Sequence, residues 1–252
     1  MSQPILRTKG LSKHFGALMA VDEVSLDFTP GRVHAIIGPN GAGKTTLINL
    51  LSGDLEASDG SIAYKEQDIT KLPANAVSQL GIGRSYQKTN IFPTFTCRQN
   101  CWLGAQSRLK TSMKFLRPAR GYKEVSERTD LALELSGLSH RADTVASAMS
   151  YGEQRQLEIG MMLATEPDLL LLDEPLAGMG PDESAQVIEL LKRLAQDHTL
   201  ILIEHDMDAV FAVAEVLTVM VNGRVLETGT PEQIRASAEV QEAYLGTDEE
   251  AH

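Results

Sequence analysis

The chain has 252 residues, 42% hydrophobic and 23% charged, the balance of a folded globular protein rather than a disordered one. Its formal net charge of −11 argues against general binding to nucleic acid or to anionic lipid headgroups. No apolar run approaches the roughly 18–20 residues that a membrane-spanning helix needs. The length suits one large domain, or a domain carrying an inserted subdomain.

In chain order, Met1–Gly10 lacks an apolar signal core, so the chain is expected to stay in the cytoplasm. Ile5–Thr8 and Val24–Phe28 alternate apolar and polar residues and predict strands, with turns at Gly10, Gly16 and Pro30-Gly31. Val33–Ile37 is a short, β-branched apolar run that ends at Gly38, and Thr45–Leu51 suits a helix. From Thr89 to Leu138 the chain is rich in Arg, Lys, Gln and Ser. It is helical in pattern over Cys97–Leu109 and Lys123–Ser136, with Pro118 and Gly121 interrupting between them. This reads as a helical subdomain inserted into an α/β core. Cys97 and Cys101 supply half a zinc site at most and predict two reduced thiols.

The second half alternates helices and buried strands. Helices are expected over Ser150–Ala164, Pro181–Ala195 and Met207–Ala214, and strands over Leu169–Leu172 and Leu200–Ile203. Val216–Val221 and Arg224–Glu227 predict a hairpin across Asn222-Gly223. Pro231–Leu245 reads as one closing helix, followed by a frayed acidic tail over 247–252.

Gly38-Pro39-Asn40-Gly41-Ala42-Gly43-Lys44-Thr45, followed by Thr46, fits G-x-x-x-x-G-K-[ST] between a strand and a helix. The glycines let the backbone curl so that N–H groups point at phosphate oxygens, and the helix adds its positive end. Lys44 places an ammonium on the outer phosphates, and the Thr45 hydroxyl can ligate Mg²⁺. Leu169-Leu170-Leu171-Leu172-Asp173-Glu174 is a buried strand ending in two carboxylates, where α/β sheets collect ligands. Asp173 is placed to hold Mg²⁺, and Glu174, turned away from it by strand alternation, to accept a proton from attacking water. Together these define a nucleotide-binding core.

Ser150-Tyr151-Gly152-Glu153-Gln154, preceding that strand, resembles the LSGGQ signature of ABC-transporter ATPases. Met149, Tyr151 and Glu153 depart from the consensus, while Ser150 and Gly152 are kept. The resemblance covers residues 4–246 and implies an ABC ATPase fold: an α/β P-loop NTPase core with an antiparallel β subdomain and an inserted α-helical subdomain. It divides the chain into a core of 4–87 and 155–246 and a helical signature subdomain of 88–154. In the family, the Ser150 and Gly152 positions face the γ-phosphate of the partner subunit's ATP. A head-to-tail dimer, with itself or with a paralogous subunit, is therefore implied. Gln87 matches the Q-loop glutamine, touching Mg²⁺ and water, His205 the switch histidine, and Phe15 the aromatic that stacks on adenine. Gly180 stands where the family often has Asp or Asn, which leaves a D-loop carboxylate in doubt. His14, His34, His140, His198 and His252 are read as nonfunctional.

The resemblance implies ATP hydrolysis with Lys44, Gln87, Glu174 and His205 as catalytic residues and ATP and Mg²⁺ as cofactors. It also implies transmembrane permease subunits as partners, a periplasmic binding protein indirectly, no nucleic acid, and a peripheral position on the cytoplasmic face of the inner membrane. Gly81–Gln87, Gln106–Glu124, Leu157–Gly160, Ala177–Met179 and Glu242–Gly246 resemble the ATPases of branched-chain amino-acid importers and their relatives. That group also serves amides, urea and aromatic acids. An exporter ATPase of the lipopolysaccharide type and a non-transport ABC ATPase are the alternatives. The single phosphate loop and the acidic charge disfavour the latter.

Overall fold

The computed structural model describes residues 3–109 and 123–248. The interruptions expected at Pro118 and Gly121, and the end of the tail, lie outside these residues. Two sheets organise the chain. The first is antiparallel, with strands β1 (Leu6–Phe15), β2 (Leu18–Val24), β3 (Asp27–Phe28), β5 (Asp59–Tyr64) and β6 (Gln67–Asp68). Its order is β2-β1-β5-β6, with β3 also paired to β1.

The second sheet contains β4 (Val33–Ile37), β7 (Ile82–Arg84), β8 (Leu169–Asp173), β9 (Thr199–Ile203), β10 (Val216–Val221) and β11 (Arg224–Gly229). Its order is β11-β10-β4-β9-β8-β7, parallel except for the β11 edge. All residues of β4, β8 and β9 are buried, as expected for parallel strands covered on both faces. Side-chain alternation sorts them into two apolar layers. Ile36, Leu169, Leu171, Ile201 and Ile203 pack toward α1 (Lys44–Leu51) and the antiparallel sheet. Ala35, Leu170, Leu172, Leu200 and Leu202 pack toward the helices on the other face.

Those helices include α6 (Pro181–Leu194), α7 (Met207–Val213) and α8 (Pro231–Ala236). The helical insert follows α2 (Ala74–Leu80) and β7, with α3 (Cys97–Gln106) and α4 (Lys123–Leu135) packed on α5 (Tyr151–Leu163). Cys97 and Cys101 face inward from α3 as free cysteines. Burial pushes the Cys101 thiol up to about 12, so it stays protonated. Helix α5 is a single unbroken element through Arg155.

Three expectations differ from the structure. Gly10 does not turn the chain: β1 runs through it, with Gly10 at φ 53° and a register slip against β5 between Lys9 and Ser12. It is a bulge that lets one strand leave β5 for β2. The strand expected over Val24–Phe28 is two strands, because Glu23 adopts φ 51° and the chain crosses over at Ser25-Leu26. There Ser25 Oγ accepts the Gly10 N–H and Thr8 Oγ1 accepts the Leu26 N–H. The closing helix is broken at Ser237, which is extended at ψ 120° and separates α8 from α9 (Ala238–Asp248). The Ser237 hydroxyl donates to Glu227 and accepts from Val240 N, which makes the break a cap.

Candidate nucleotide-binding site

The β4–α1 connection lies at the carboxyl end of the parallel sheet and is built on close backbone approaches. A Cβ at Gly38 would sit 2.1 Å from the Met220 carbonyl oxygen of neighbouring β10. The loop ends with Gly43, left-handed at φ 97°, as the cap of α1, and no side chain caps the first turn. The helix therefore presents its free N–H groups and positive end to the cleft. Lys44, buried, folds its ammonium back to donate to the carbonyls of Gly38 and Pro39 at 2.7 and 3.0 Å. Burial lowers its pKa, while Glu174 and then Asp173 pull it back up.

The loop forms one wall of a cleft of about 570 Å³, lined by Asn40 through Thr46. The opposite wall is Phe15, Leu18, Met19 and Ala20 from the antiparallel sheet, and Gln87, Glu174 and Asn222 close the rest. Phe15 is 49% exposed and carries the Lys13 ammonium 5.3 Å from its ring centre. The apolar wall of Leu18 and Met19, and the place of the expected Asn222-Gly223 turn at the cleft, escaped the sequence reading. They become visible only when β2 and the hairpin fold over the loop.

Asp173 and Glu174 part company at the end of β8. Asp173 is 2% exposed, and burial pushes its carboxyl up while Arg84 opposes the shift. Its Oδ2 lies 3.8 Å from Arg84 Nη2. Its Oδ1 has no hydrogen-bond partner among the described residues. An unpaired hard oxygen at this place fits a Mg²⁺ ligand, direct or through water. Glu174 turns away because its backbone is left-handed, at φ 47°, with its N–H donating to Ile203 O at 2.9 Å. Strand alternation alone does not account for that turn. Glu174 Oε2 accepts from Gln87 Nε2 at 3.0 Å, and His205 Nδ1 lies 3.9 Å from Oε1.

Behind His205 sits Glu204, 1% exposed, which sequence reasoning missed. Its Oε1 accepts Leu176 N at 2.9 Å and its Oε2 accepts His205 N at 3.2 Å. It ties the segment after Glu174 to the segment carrying His205. Burial raises its pKa against these N–H groups. An acid directly after the buried β9 run was the available signal.

Ser150 and Gly152 do not line the cleft. They start α5 instead, where Ser150 and Glu153 form a reciprocal capping box and Glu153 also accepts from Arg141 at 2.8 Å. The departure at Glu153 from the consensus therefore has a local structural use. Gly152 N donates to Glu183 Oε1 of α6 at 3.1 Å, and the Ser150 hydroxyl faces the same carboxylate. These contacts, with the Ser150 hydroxyl first among them, hold the Glu183 carboxyl below the usual range. Tyr151, 40% exposed, stands beside Gly178.

A glycine loop at the end of β4, a split acidic pair on the next strand but one, and a helical insert ending in a capped α5 define a P-loop ATP-binding cassette. Comparison with known proteins agrees. Residues 21–177 match the ABC transporter family and residues 224–250 the branched-chain amino acid ATP-binding cassette transporter family. The chain is 39% identical to the high-affinity branched-chain amino acid transport ATP-binding protein LivG of Escherichia coli K12, over 98% of this chain and 99% of that one. It is 38% identical to BraF of Pseudomonas aeruginosa, described in the same terms, with the same coverage. Among solved structures, an ATP-binding cassette of an ABC transporter in its ADP conformation superposes with a TM-score of 0.86 at 32% identity, over 97% of this chain and all of that one. A nucleotide-free cassette gives 0.84 at 31%, over 95% and 98%.

The chain belongs to the ABC transporter ATP-binding family, the ATP-hydrolysing subunits of these transporters, in the group of branched-chain amino acid transport ATP-binding proteins.

Proposed function

We propose that this chain powers an importer of branched-chain amino acids or of related small amide or aromatic-acid solutes. The observation that carries the chemistry is the Gln87–Glu174 hydrogen bond at the mouth of the loop that holds Lys44. Lys44 would exchange the Gly38 and Pro39 carbonyls for the outer phosphates, with the α1 amides and Thr46 beside it. Phe15 would stack on adenine. Glu174 would take a proton from water aligned by Gln87 and His205. Asp173, Thr45 and Gln87 would hold Mg²⁺, which when bound neutralises phosphate charge. The names of the relatives support the cargo. In proteoliposomes with its permease subunits, ATP turnover should rise when binding protein loaded with leucine, isoleucine or valine is added. Stimulation by none of these, but by an amide or aromatic acid, would move the cargo assignment.

The partner is a second motor subunit whose Ser150 and Gly152 positions close over this chain's nucleotide, and reciprocally. The Glu183 carboxylate stands where a phosphate from the partner's site would arrive, so it competes for the same donors. Glu183→Gln, in a Glu174→Gln background, should lower the ATP concentration for half-maximal dimerisation about two- to fivefold. Light scattering against ATP would read this, and an unchanged or higher midpoint would remove Glu183 from the role.

Residues 88–154 would form the arm that meets the membrane subunits from a peripheral position, since among the described residues no helix is long and apolar enough to cross a membrane. Phe92 and Phe95, 48% and 39% exposed, stack at 5.4 Å beside the Gln87 segment and offer an apolar contact. Phe95→Asp should weaken co-purification with the permease subunits about tenfold or more, with ATP affinity of the isolated chain as the fold control. Full retention of the complex would place docking elsewhere.

A further inference from the structure

Arg155 is 1% exposed and heads the largest fully buried side chains among the described residues. It lies on α5 just beyond the Ser150 cap, and every bond it makes leaves the helix or secures its own charge. Nη1 donates to Tyr86 O and, at 2.6 Å, to Glu158 Oε2. Nη2 donates to Gln87 O at 3.0 Å and to Glu174 O at 3.1 Å. Glu158 completes the arrangement from the next turn of the helix. Its Oε1 accepts Tyr86 N at 3.2 Å and Asn90 N at 3.3 Å.

One guanidinium thus grips the backbones of both residues whose side chains bond each other in the cleft. Only a planar fork reaches three carbonyls from one point. A buried charge of this kind is sustained by its paired carboxylate and by the four bonds of its two Nη atoms, while Nε finds no partner among the described residues, which makes it a geometric device more than a stabilising one.

We infer that Arg155, secured by Glu158, is a positioning residue that sets Gln87 and Glu174 from this chain's own α5. It touches no nucleotide. Its consequence is that the helix offering Ser150 and Gly152 to the partner's phosphate also aligns the carboxylate acting on its own. This rests on the function proposed above for Glu174 and for the α5 N-terminus.

The test is a split between binding and turnover. Arg155→Lys keeps the charge pair with Glu158 but lacks the fork. It should bind ATP within about threefold of wild type, while kcat falls about 100-fold, the loss expected for a misplaced catalytic group. Arg155→Gln with Glu158→Gln removes both charges together and should give the same split should the lysine variant not fold. Normal kcat in either folded variant overturns the inference. So does a parallel loss of ATP affinity, kcat and thermal stability, which would make the contact structural only. Wild type and Glu174→Gln run alongside. If Glu174→Gln turns over normally, the function assigned to Glu174 fails; if it is dead and Arg155→Lys is not, the inference alone fails.

Discussion

Glu174→Gln is expected to bind ATP with near-native affinity, to lose at least about 1,000-fold of turnover, and to accumulate as a dimer when ATP and Mg²⁺ are present. The substitution is nearly isosteric, so the left-handed backbone at this position and its bond to Ile203 O remain. What changes is the proton chemistry. A carboxylate accepts from Gln87 Nε2 at 3.0 Å and still has a lone pair for water, and it can take the proton. An amide can still accept from Gln87, but it cannot hold that proton. Binding groups on the loop are untouched, so ATP stays bound and the closed pair does not reopen. Phosphate release and size-exclusion chromatography with and without ATP measure both halves. Wild-type turnover would strip Glu174 of the base role. A dead variant that stays monomeric with ATP, alone and with its partner motor, would keep the base and sink the shared nucleotide pocket.

Much of this site was legible because its signals are local. The glycine loop, the Leu169–Glu174 run and the Asn222-Gly223 turn each carry their meaning within a few residues. The structure places them as a loop, a buried strand and a left-handed hairpin turn, with Asn222 at φ 49° and Gly223 at φ 80°. The Ser150-x-x-Glu153 cap has the same local character. The unforeseen parts depend on distant partners. β5, β6 and α2 are weakly patterned, and each is placed by a neighbour: β5 by β1, β6 by β5, and α2 by β7. Arg155, Glu183 and Glu204 look like solvated charges on helix or strand ends. Their partners lie 69, 31 and 28 residues away in sequence at Tyr86, Gly152 and Leu176, and no periodicity announces such pairs. Gly10 failed as a turn signal for a related reason: a left-handed glycine serves a bulge as well as a reversal, and only the β1–β5 pairing decides between them.

Two alanine substitutions in the same loop should behave very differently. Gly41 is left-handed at φ 79°, and a Cβ there meets nothing within 4 Å. Gly41→Ala should cost only the left-handed penalty, about 1–2 kcal/mol. Gly43 is left-handed too, but its Cβ would lie 2.2 Å from Ala20 O and 3.4 Å from Gly223 Cα. Both obstacles are backbone, and they are tied to each other and to the loop: Asp22 N donates to Gly223 O at 2.8 Å, and Gly223 N donates to Ala42 O at 3.1 Å. To make room, either β2 or the start of α1 must move. Strand β2 carries Leu18, Met19 and Ala20, the apolar wall of the cleft, and α1 carries Lys44 and the uncapped N-terminal amides that face the cleft. Neither can shift without opening the site. Gly43→Ala should therefore lose at least about 3 kcal/mol of stability, seen as a fall in Tm of roughly 6–12 °C. It should weaken ATP binding at least about 100-fold through two or more lost charge-assisted hydrogen bonds. Thermal melts and ATP titrations on the two variants side by side decide the matter. A Gly43→Ala protein with the melting point and ATP affinity of Gly41→Ala would mean that the loop is not braced against β2 and the hairpin, and that its curvature belongs to the loop alone.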